Sequence, residues 1–288
     1  MRQSNGYILG FTVALTVICA GALAGVFQVL KPEHIKQEAL DKKKQILSAV
    51  ISLEGKKPKE VSELYTSSIS AITVDNQGNI LEGVDAENVN VLKEFKKKDV
   101  SQKQFPVFIY NGGEAYIIPM YGNGLWDAVW GFMALESDKN TIKGISFGHK
   151  GETPGLGARI TNQDVRDRFV GKKIYDADGS LGKSANGLFA GVWFEKGEKK
   201  VYPEDGHQVD GLAGASMTTE GVNAMLKSYL QFYTPYFKST EAVSKEEPKT
   251  EIKVETISDS TVVESDSLAA DVASDSIETA AVDSVNNH

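Results

Sequence analysis

The sequence predicts an α+β fold in which a single N-terminal transmembrane helix is followed by a mainly antiparallel α+β domain. The first residues form a long uncharged apolar stretch, whereas the middle of the chain contains short runs rich in β-branched and aromatic residues. Turn-forming Gly, Asn and Asp residues separate these runs, and few residues lie between them. Strands this close in sequence favour antiparallel hairpins, because parallel strands need long crossover connections.

The N-terminal segment is predicted to anchor the chain in a membrane. Residues 3–30 contain no charged side chain, and about 20 apolar residues are enough to span a bilayer as a helix. We therefore assign residues 1–6 to an N-terminal segment and residues 7–30 to the transmembrane helix. Two alternatives stay open, a cleaved signal peptide ending near Ala22-Leu23-Ala24 and a lipoprotein signal that uses Cys19.

Flanking charge does not settle the orientation of this helix. The lysines that follow it, including the run at 42–44, outnumber Arg2, so the positive-inside rule would place the following domain in the cytoplasm. Long domains, however, are often translocated regardless of flanking charge. The charge pattern alone is therefore compatible with either side of the membrane.

Residues 31–235 are predicted to form the extramembrane domain, since 288 residues suffice for one sizeable domain or two with a proper core. Helical spacing predicts helices over residues 34–51, 163–169 and 219–232, and Thr218 or Thr219 could cap the last of them. The predicted strands are residues 69–74, 107–110, 115–120, 129–135, 142–147 and 188–194.

The C-terminal end, residues 236–288, is predicted to be a disordered acidic tail. Residues 241–288 contain twelve acidic residues and three lysines, so this part carries −9 and the remainder +1 of the net −8. It has no aromatic residue, and its apolar residues follow no period. It either solvates the protein or docks on a basic partner.

Composition argues against several other classes of protein. A single cysteine excludes an intramolecular disulfide, and four scattered histidines show no metal-site spacing. Basic and aromatic residues are not clustered as they are in proteins that bind nucleic acid. There is no carboxylate pair, Ser-His-Asp order or nicotinamide-binding motif, so the isolated chain is not expected to turn over a substrate.

A run of small residues with a hydroxyl group precedes the final predicted helix. Gly214 and Ala215 leave the backbone bare beside Ser216, so a large molecule could approach the serine hydroxyl closely. A phosphate on Ser216 would lie near unpaired N–H groups and the positive end of a helix dipole. The alternative is a glycine-rich turn followed by a Ser/Thr helix cap.

Two further segments have the composition of ligand-binding loops. One is Glu152-Thr153-Pro154-Gly155-Leu156-Gly157, in which Pro154-Gly155 suits the centre of a type II turn. The other contains Leu125 and Trp126, which could pack on an aromatic ring. Arg159 and His149 flank the first loop and could place positive charge near a ligand. A tight connection, a core tryptophan and solvated surface charges are the alternatives.

These motifs resemble the signatures of the FMN-binding domain family. The flavinylation motif of that family, Asp-x-x-(Ser/Thr)-Gly-Ala-Thr, is matched here by Asp210, Gly214, Ala215 and Ser216. Ala213 replaces the usual Ser/Thr, and serine replaces the final threonine but keeps the hydroxyl. In that family a flavin transferase esterifies the FMN phosphate to this hydroxyl. The resemblance implies covalent FMN on Ser216, with Thr218 as the alternative acceptor, and a flavin contact by the 152–157 loop.

Gly122-x-Gly124-Leu125-Trp126 ahead of that loop is similar to the C subunits of the sodium-translocating NADH:quinone oxidoreductase (Nqr). The resemblance covers residues 7–235 and places the FMN-binding part at about 105–235. It implies a single-pass protein of the bacterial inner membrane whose periplasmic domain relays electrons through one FMN. Partner membrane subunits would carry out NADH oxidation, quinone reduction and sodium transport, with membrane lipid around the anchor and Arg159 close to the flavin.

Two alternatives of other kinds stay open. The G subunit of an Rnf-type ion-translocating electron-transport complex would carry the same cofactor, although it lacks the Leu-Trp pair. A membrane-tethered binding module would use the glycine-rich loops to hold a ligand without any cofactor.

Overall fold

The computed structural model describes residues 4–198 and 200–245. Its first element is a helix, α1 (Asn5–Ser48), which begins at the N-cap Ser4 and contains Pro32. One 18-residue window of α1 has a mean hydropathy of 2.2, and none of that window is buried. By length and composition this helix can cross a membrane.

The predicted transmembrane helix and the predicted helix at 34–51 form one continuous element. Pro32 lies between them and cannot donate a backbone hydrogen bond, but it does not end α1. The residues that follow are mostly Glu, Gln, Ala, Lys and Leu, which favour helix strongly enough to continue it. The extramembrane domain therefore begins on the same helix that carries the apolar stretch.

The centre of the domain is a five-stranded antiparallel sheet with strands in chain order, β1-β2-β3-β4-β5. The strands are β1 (Ile69–Val74), β2 (Phe105–Tyr110), β3 (Ala115–Asn123), β4 (Ala128–Glu136) and β5 (Ile142–His149). The α+β class and the antiparallel pairing are thus confirmed. The bounds of the first five predicted strands lie within two or three residues of the observed ones, since turn residues bound every run.

The remaining elements surround this sheet. Apart from short 3-10 turns, they are α2 (Pro58–Ser68), α3 (Val91–Lys96), α4 (Gln163–Arg166), the parallel pair β6 (Trp193–Phe194) and β7 (Gln208–Val209), and α5 (Ser216–Lys245). The short helix α2 was not predicted, and the predicted strand at 188–194 shrinks to two residues. Much of residues 170–215 is irregular, because Gly, Asp and Asn in this region favour turns.

The two faces of the sheet bury separate apolar clusters. Helix α5 covers one face, where Tyr233 is fully buried and donates its hydroxyl to Pro106 O at 2.8 Å. The end of α1 and helix α2 cover the other face. Tyr236 and Phe237, which are 3% and 1% exposed, belong to the first cluster. The predicted boundary at 235 therefore falls inside a packed helix; the rest of the predicted tail, 246–288, lies outside the described residues.

The last turn of α1 rests directly on the sheet. Ile46 and Leu47 are fully buried, and Ser146 Oγ on β5 donates to Gln45 O at 2.9 Å. Gly144 on β5 approaches the helix so closely that an added Cβ would collide with the carbonyl oxygen of Ala49. The absence of a side chain at Gly144 is what allows this contact.

We expect Gly144→Ala to lower the free energy of unfolding by about 1–3 kcal/mol, because the new methyl group overpacks a backbone contact that cannot move freely. Thermal or urea unfolding of the full-length protein in detergent measures the change. Gly151→Ala is the matched control, since its Cβ would meet only Asp127 Cβ at 3.7 Å, an ordinary contact. Equal stability of the two variants would show that the contact between α1 and β5 can accommodate a methyl group at no cost in stability.

Candidate functional site

Three segments that are far apart in sequence meet at the N-terminus of α5. They are the β3–β4 turn at 124–127, the loop after β5 at 150–157 and the turn at 210–215 that leads into the helix. Gly221 on the second turn of α5 lies against Asn123 O, so an added Cβ would collide with that oxygen. The loops are therefore packed on the helix rather than suspended above it.

Glu152 joins the three segments. This residue is only 4% exposed, and its Oε2 accepts a hydrogen bond of 2.5 Å from the Thr218 hydroxyl. Oε1 accepts the backbone N–H of Trp126 at 3.0 Å, and the backbone N–H groups of Leu125 and Asp127 also help to lower the pKa of this carboxyl. One carboxylate thus holds the β3–β4 turn and the first turn of α5 to its own loop.

These contacts also keep Glu152 ionised. Burial by itself raises the pKa of the carboxyl, but the hydrogen bond from Thr218 and the backbone N–H groups of the β3–β4 turn outweigh it, so its pKa is lowered. A buried carboxylate that accepts several hydrogen bonds is stable only while all of them are made. The charge of Glu152 therefore favours one arrangement of the surrounding loops.

The loop after Glu152 has the predicted turn. Leu156 N–H donates to Thr153 O at 3.1 Å, and Gly155, between Pro154 and Leu156, has a φ of +75°. These features confirm the type II turn centred on Pro154-Gly155. Gly157 closes the loop against Glu152 and Thr218, and an added Cβ at this position would collide with both side chains.

Apolar side chains around the helix N-terminus point into solvent. Trp126 is 70% exposed although its Nε1 donates to Thr153 Oγ1 at 3.1 Å. Leu125, Leu156 and Met217 are 42%, 43% and 63% exposed. We call these four residues the exposed apolar face. Leu156 reaches the turn before α5, since its Cδ2 is 2.9 Å from the position of a Cβ on Gly214.

The two candidate hydroxyl acceptors lie in different environments. Ser216 is the first residue of α5 and is exposed. Thr218 is 1% exposed and its hydroxyl donates to Glu152. The predicted cap at Thr218 or Thr219 is therefore wrong, because both residues lie inside the helix. Ala215, just before Ser216, is 4% exposed and helps to fix the start of α5 in the core.

A second charged cluster supports the turn before α5. Arg159 forms a bidentate ion pair with Glu198, and Glu198 Oε2 also accepts the backbone N–H of Ala213 at 3.0 Å. Arg168 Nη1 donates to the carbonyl oxygens of Asp210 and Gly211 at 3.0 and 2.7 Å. The Arg159 hydrogen bond, followed by the bond from Ala213, lowers the pKa of Glu198 to about 2.

The structure thus brings the sequence-predicted site residues together and adds others. Asp210 lies in the turn before α5, where Oδ1 accepts the N–H of Lys200 at 3.1 Å. Arg159 is held by Glu198, and His149 Nδ1 accepts the N–H of Glu152 at 3.3 Å. Glu198 and Met217 were not predicted, because an isolated glutamate and an isolated methionine carry no recognisable motif.

Comparison with known proteins identifies the class of this domain. A model of the FMN-binding domain family matches residues 124–231, a range that contains the converging segments. The C subunit of the Na+-translocating NADH-quinone reductase of Pasteurella multocida is 32% identical over 249 residues, covering 80% of this chain and 91% of the relative. The corresponding protein of Pseudomonas aeruginosa is 34% identical over 252 residues, with 80% and 92% covered. The chain therefore belongs to the family of C subunits of the Na+-translocating NADH-quinone reductase.

Solved structures agree with this assignment. The C subunit from Parabacteroides distasonis matches with a TM-score of 0.61 and 34% identity, covering 72% of this chain and 96% of that one. NqrC from Shewanella oneidensis matches with a TM-score of 0.58 at 21% identity, covering 72% and 99%, which shows the shared fold. The apolar helix and this family membership together indicate a membrane-anchored protein.

We expect Glu152→Gln to destabilise the domain by about 1–3 kcal/mol, because the amide NH2 group replaces an acceptor that faces hydrogen-bond donors. Since the folded pKa is lowered, the stabilisation by Glu152 is present above the ordinary value of 4.5 and is lost as the pH falls below it. Urea unfolding of both proteins between pH 7 and acid pH measures the difference, which should shrink on acidification. Glu63→Gln, on an exposed ion pair, is the control; an equal loss there would contradict the role of Glu152.

The contribution of Glu198 to the free energy of unfolding should change over a broad range of acid pH. Its pKa falls from 4.5 to about 2 on folding, so its contribution is complete above pH 4.5 and is lost as the pH drops towards 2. We expect the stability difference between the native protein and Glu198→Gln to decline across this interval. Unfolding curves at closely spaced pH values test this, and a difference that is constant with pH would refute the ion-pair assignment.

Proposed function

We propose that the chain carries one FMN, joined by a phosphoester to Ser216, and acts as an electron-relay subunit of a Na+-translocating NADH-quinone reductase. The observation that carries this proposal is that Ser216, which bears a hydroxyl, is exposed in the first turn of α5 and precedes Met217 of the exposed apolar face. Family membership supports the assignment, since the relatives are named as subunits of this reductase.

The helix N-terminus fits a phosphate group. The first N–H groups of a helix have no acceptor within it, and the helix dipole places partial positive charge there. A phosphodiester on Ser216 Oγ would accept from such groups. In the esterification, the serine oxygen would form a bond to the phosphorus of an FMN phosphate that the flavin transferase supplies as a phosphoanhydride. The anhydride P–O bond would break, the second phosphate would leave with its oxygen, and the serine proton would pass to solvent.

The exposed apolar face fits a planar aromatic ring. Leu125, Trp126, Leu156 and Met217 offer apolar surface that the described residues leave exposed, and aromatic stacking adds about 0.5–1.5 kcal/mol to simple burial. Glu152 and Thr153 hold the loops that carry these side chains, with Pro154, Gly155 and Gly157 shaping the bend. Asp210, Gly214 and Ala215 shape the turn that presents Ser216.

Bound FMN would accept electrons from one redox centre and donate them to another. The chain's own contribution is to hold that group near the surface. An exposed ligand can hide little area, so its non-covalent affinity is limited, and an ester bond prevents its loss. Arg159, fixed by Glu198, places a guanidinium close to the same turn. Donor and acceptor would be other membrane subunits of the complex.

We also propose that the extramembrane domain lies on the periplasmic side of a bacterial inner membrane, with α1 as a single span in lipid. The resemblance to Nqr C subunits supports this orientation. The lysines after residue 30 argue for the opposite one, but their effect is weak for a domain of this length.

Replacing Ser216 tests the attachment. We expect Ser216→Ala, made in cells that contain the flavin transferase and ample riboflavin, to fold normally and lack covalent flavin, because no acceptor oxygen remains. Ser216→Thr keeps the hydroxyl and should stay flavinylated. In-gel fluorescence of denatured protein and peptide mass mapping of residues 201–227 provide the readout. Covalent flavin in Ser216→Ala that disappears on Thr218→Val would move the acceptor to Thr218, against the proposal.

The alternatives make different predictions. A cofactor-free binding module would give no flavin absorption in the native protein. An Rnf-type G subunit would carry flavin but co-purify with other proteins; the relatives are named as C subunits of the reductase, which favours the first assignment.

A further inference from the structure

A short segment after the 152–157 loop contacts both the membrane helix and the turn that bears Ser216. It consists of α4 and the 3-10 turn Asp167–Phe169. Val165 and Phe169 are fully buried and fix its back in the core, while Arg166 and Arg168 extend from it to different partners. We call residues 163–169 the arginine bracket.

Arg166 binds the end of the membrane helix. Its Nη2 donates to Ser48 O at 2.6 Å, and its Nε donates to Ile145 O on β5 at 2.7 Å. Nη1 donates to Gln163 Oε1 at 3.2 Å, which orients the guanidinium from within the bracket. One planar group thus connects α1, the sheet and the bracket.

The chemistry of a helix C-terminus explains this contact. The last carbonyl groups of a helix lack partners and carry partial negative charge. Helix α1 has no basic residue in its own last turn, so Arg166 supplies a cation from elsewhere in the chain. Arginine suits the position because its rigid fork can satisfy two carbonyl oxygens at once.

The other arm of the bracket holds the turn at 210–211. Arg168 donates to the carbonyl oxygens of Asp210 and Gly211 and lies 3.5 Å from Glu198 Oε1. The bracket therefore connects Ser48, at the end of the membrane helix, with the turn that leads to Ser216. Trp130 Nε1, which donates to Gln45 Oε1 at 2.8 Å, provides a second tie between α1 and the sheet.

We propose that Arg166 is a positioning residue that fixes the Ser216 site relative to the membrane helix. This inference rests on the proposed function, because positioning of the site matters for electron transfer, whose rate depends steeply on the distance and orientation of the redox groups. A domain that could tilt on α1 would hold its flavin in the transfer geometry for only part of the time.

Spin-label distances test the positioning without involving the flavin. The full-length protein carries Cys19→Ser with nitroxides at Ile35→Cys and Ala185→Cys, both exposed positions, and is measured in lipid nanodiscs. We expect Arg166→Met to broaden the distance distribution about twofold by freeing the junction. Arg166→Lys, which can reach one carbonyl, should be intermediate. Lys59→Met, on an exposed ion pair of α2, should match the parent.

Electron transfer is then measured in the assembled complex. We expect Arg166→Met to retain flavin content and midpoint potential but to slow reduction of this flavin by about tenfold, as misplacement of reacting groups does. Unchanged distances with native circular dichroism would overturn the proposal, as would altered distances with an unchanged transfer rate. A colourless parent protein would refute the flavin assignment instead and leave the distance result valid.

Discussion

The buried carboxylate of Glu152 is the interaction on which the candidate site depends. Among the described residues, it is the only group that accepts hydrogen bonds both from the β3–β4 turn and from the first turn of α5. Removing one donor would leave a charge with unmet hydrogen-bonding capacity in a place that water reaches poorly. This carboxylate sets the relative positions of the loops together with the Trp126–Thr153 hydrogen bond and the close contact of Gly221 with Asn123, and the apolar surface above them stays exposed.

The same loops carry apolar side chains that stay exposed, and this has a consequence for how a cofactor is held. A deep pocket would retain a flavin by burial but would separate it from protein partners. An exposed face allows close approach by a partner and gives weak retention. The proposed attachment at Ser216 would resolve this conflict, because retention would then not depend on buried area. The exposed hydroxyl of Ser216 and the buried hydroxyl of Thr218 fit this division: one is accessible to a modifying enzyme and the other holds the framework.

Sequence patterns predicted the parts of this structure that local chemistry determines. Runs of β-branched and aromatic residues bounded by Gly, Asn and Asp turns located the five strands, and Pro154-Gly155 specified its turn. The continuity of α1 through Pro32 could not be predicted. It requires that the helix propensity of the residues on both sides of the proline outweighs the loss of one backbone hydrogen bond. The buried Tyr236 and Phe237 were assigned to the tail, because the tail was defined by the acidic composition of the residues that follow them. Motifs identified the three site segments, but Glu198, Arg166 and Arg168 act through contacts between distant residues, which no local pattern reveals.

The arginines of the site have different partners and so different consequences. Arg159 and Arg168 both lie near Glu198, so a change in either alters the turn that presents Ser216. The guanidinium of Arg166 donates only to oxygen atoms of α1, β5 and its own bracket among the hydrogen bonds described. Its removal should therefore leave the turn and the exposed apolar face intact while loosening their connection to the membrane helix. Two residues of one seven-residue segment thus act on different parts of the molecule, Arg168 on the turn that leads to Ser216 and Arg166 on the junction between the sheet and α1.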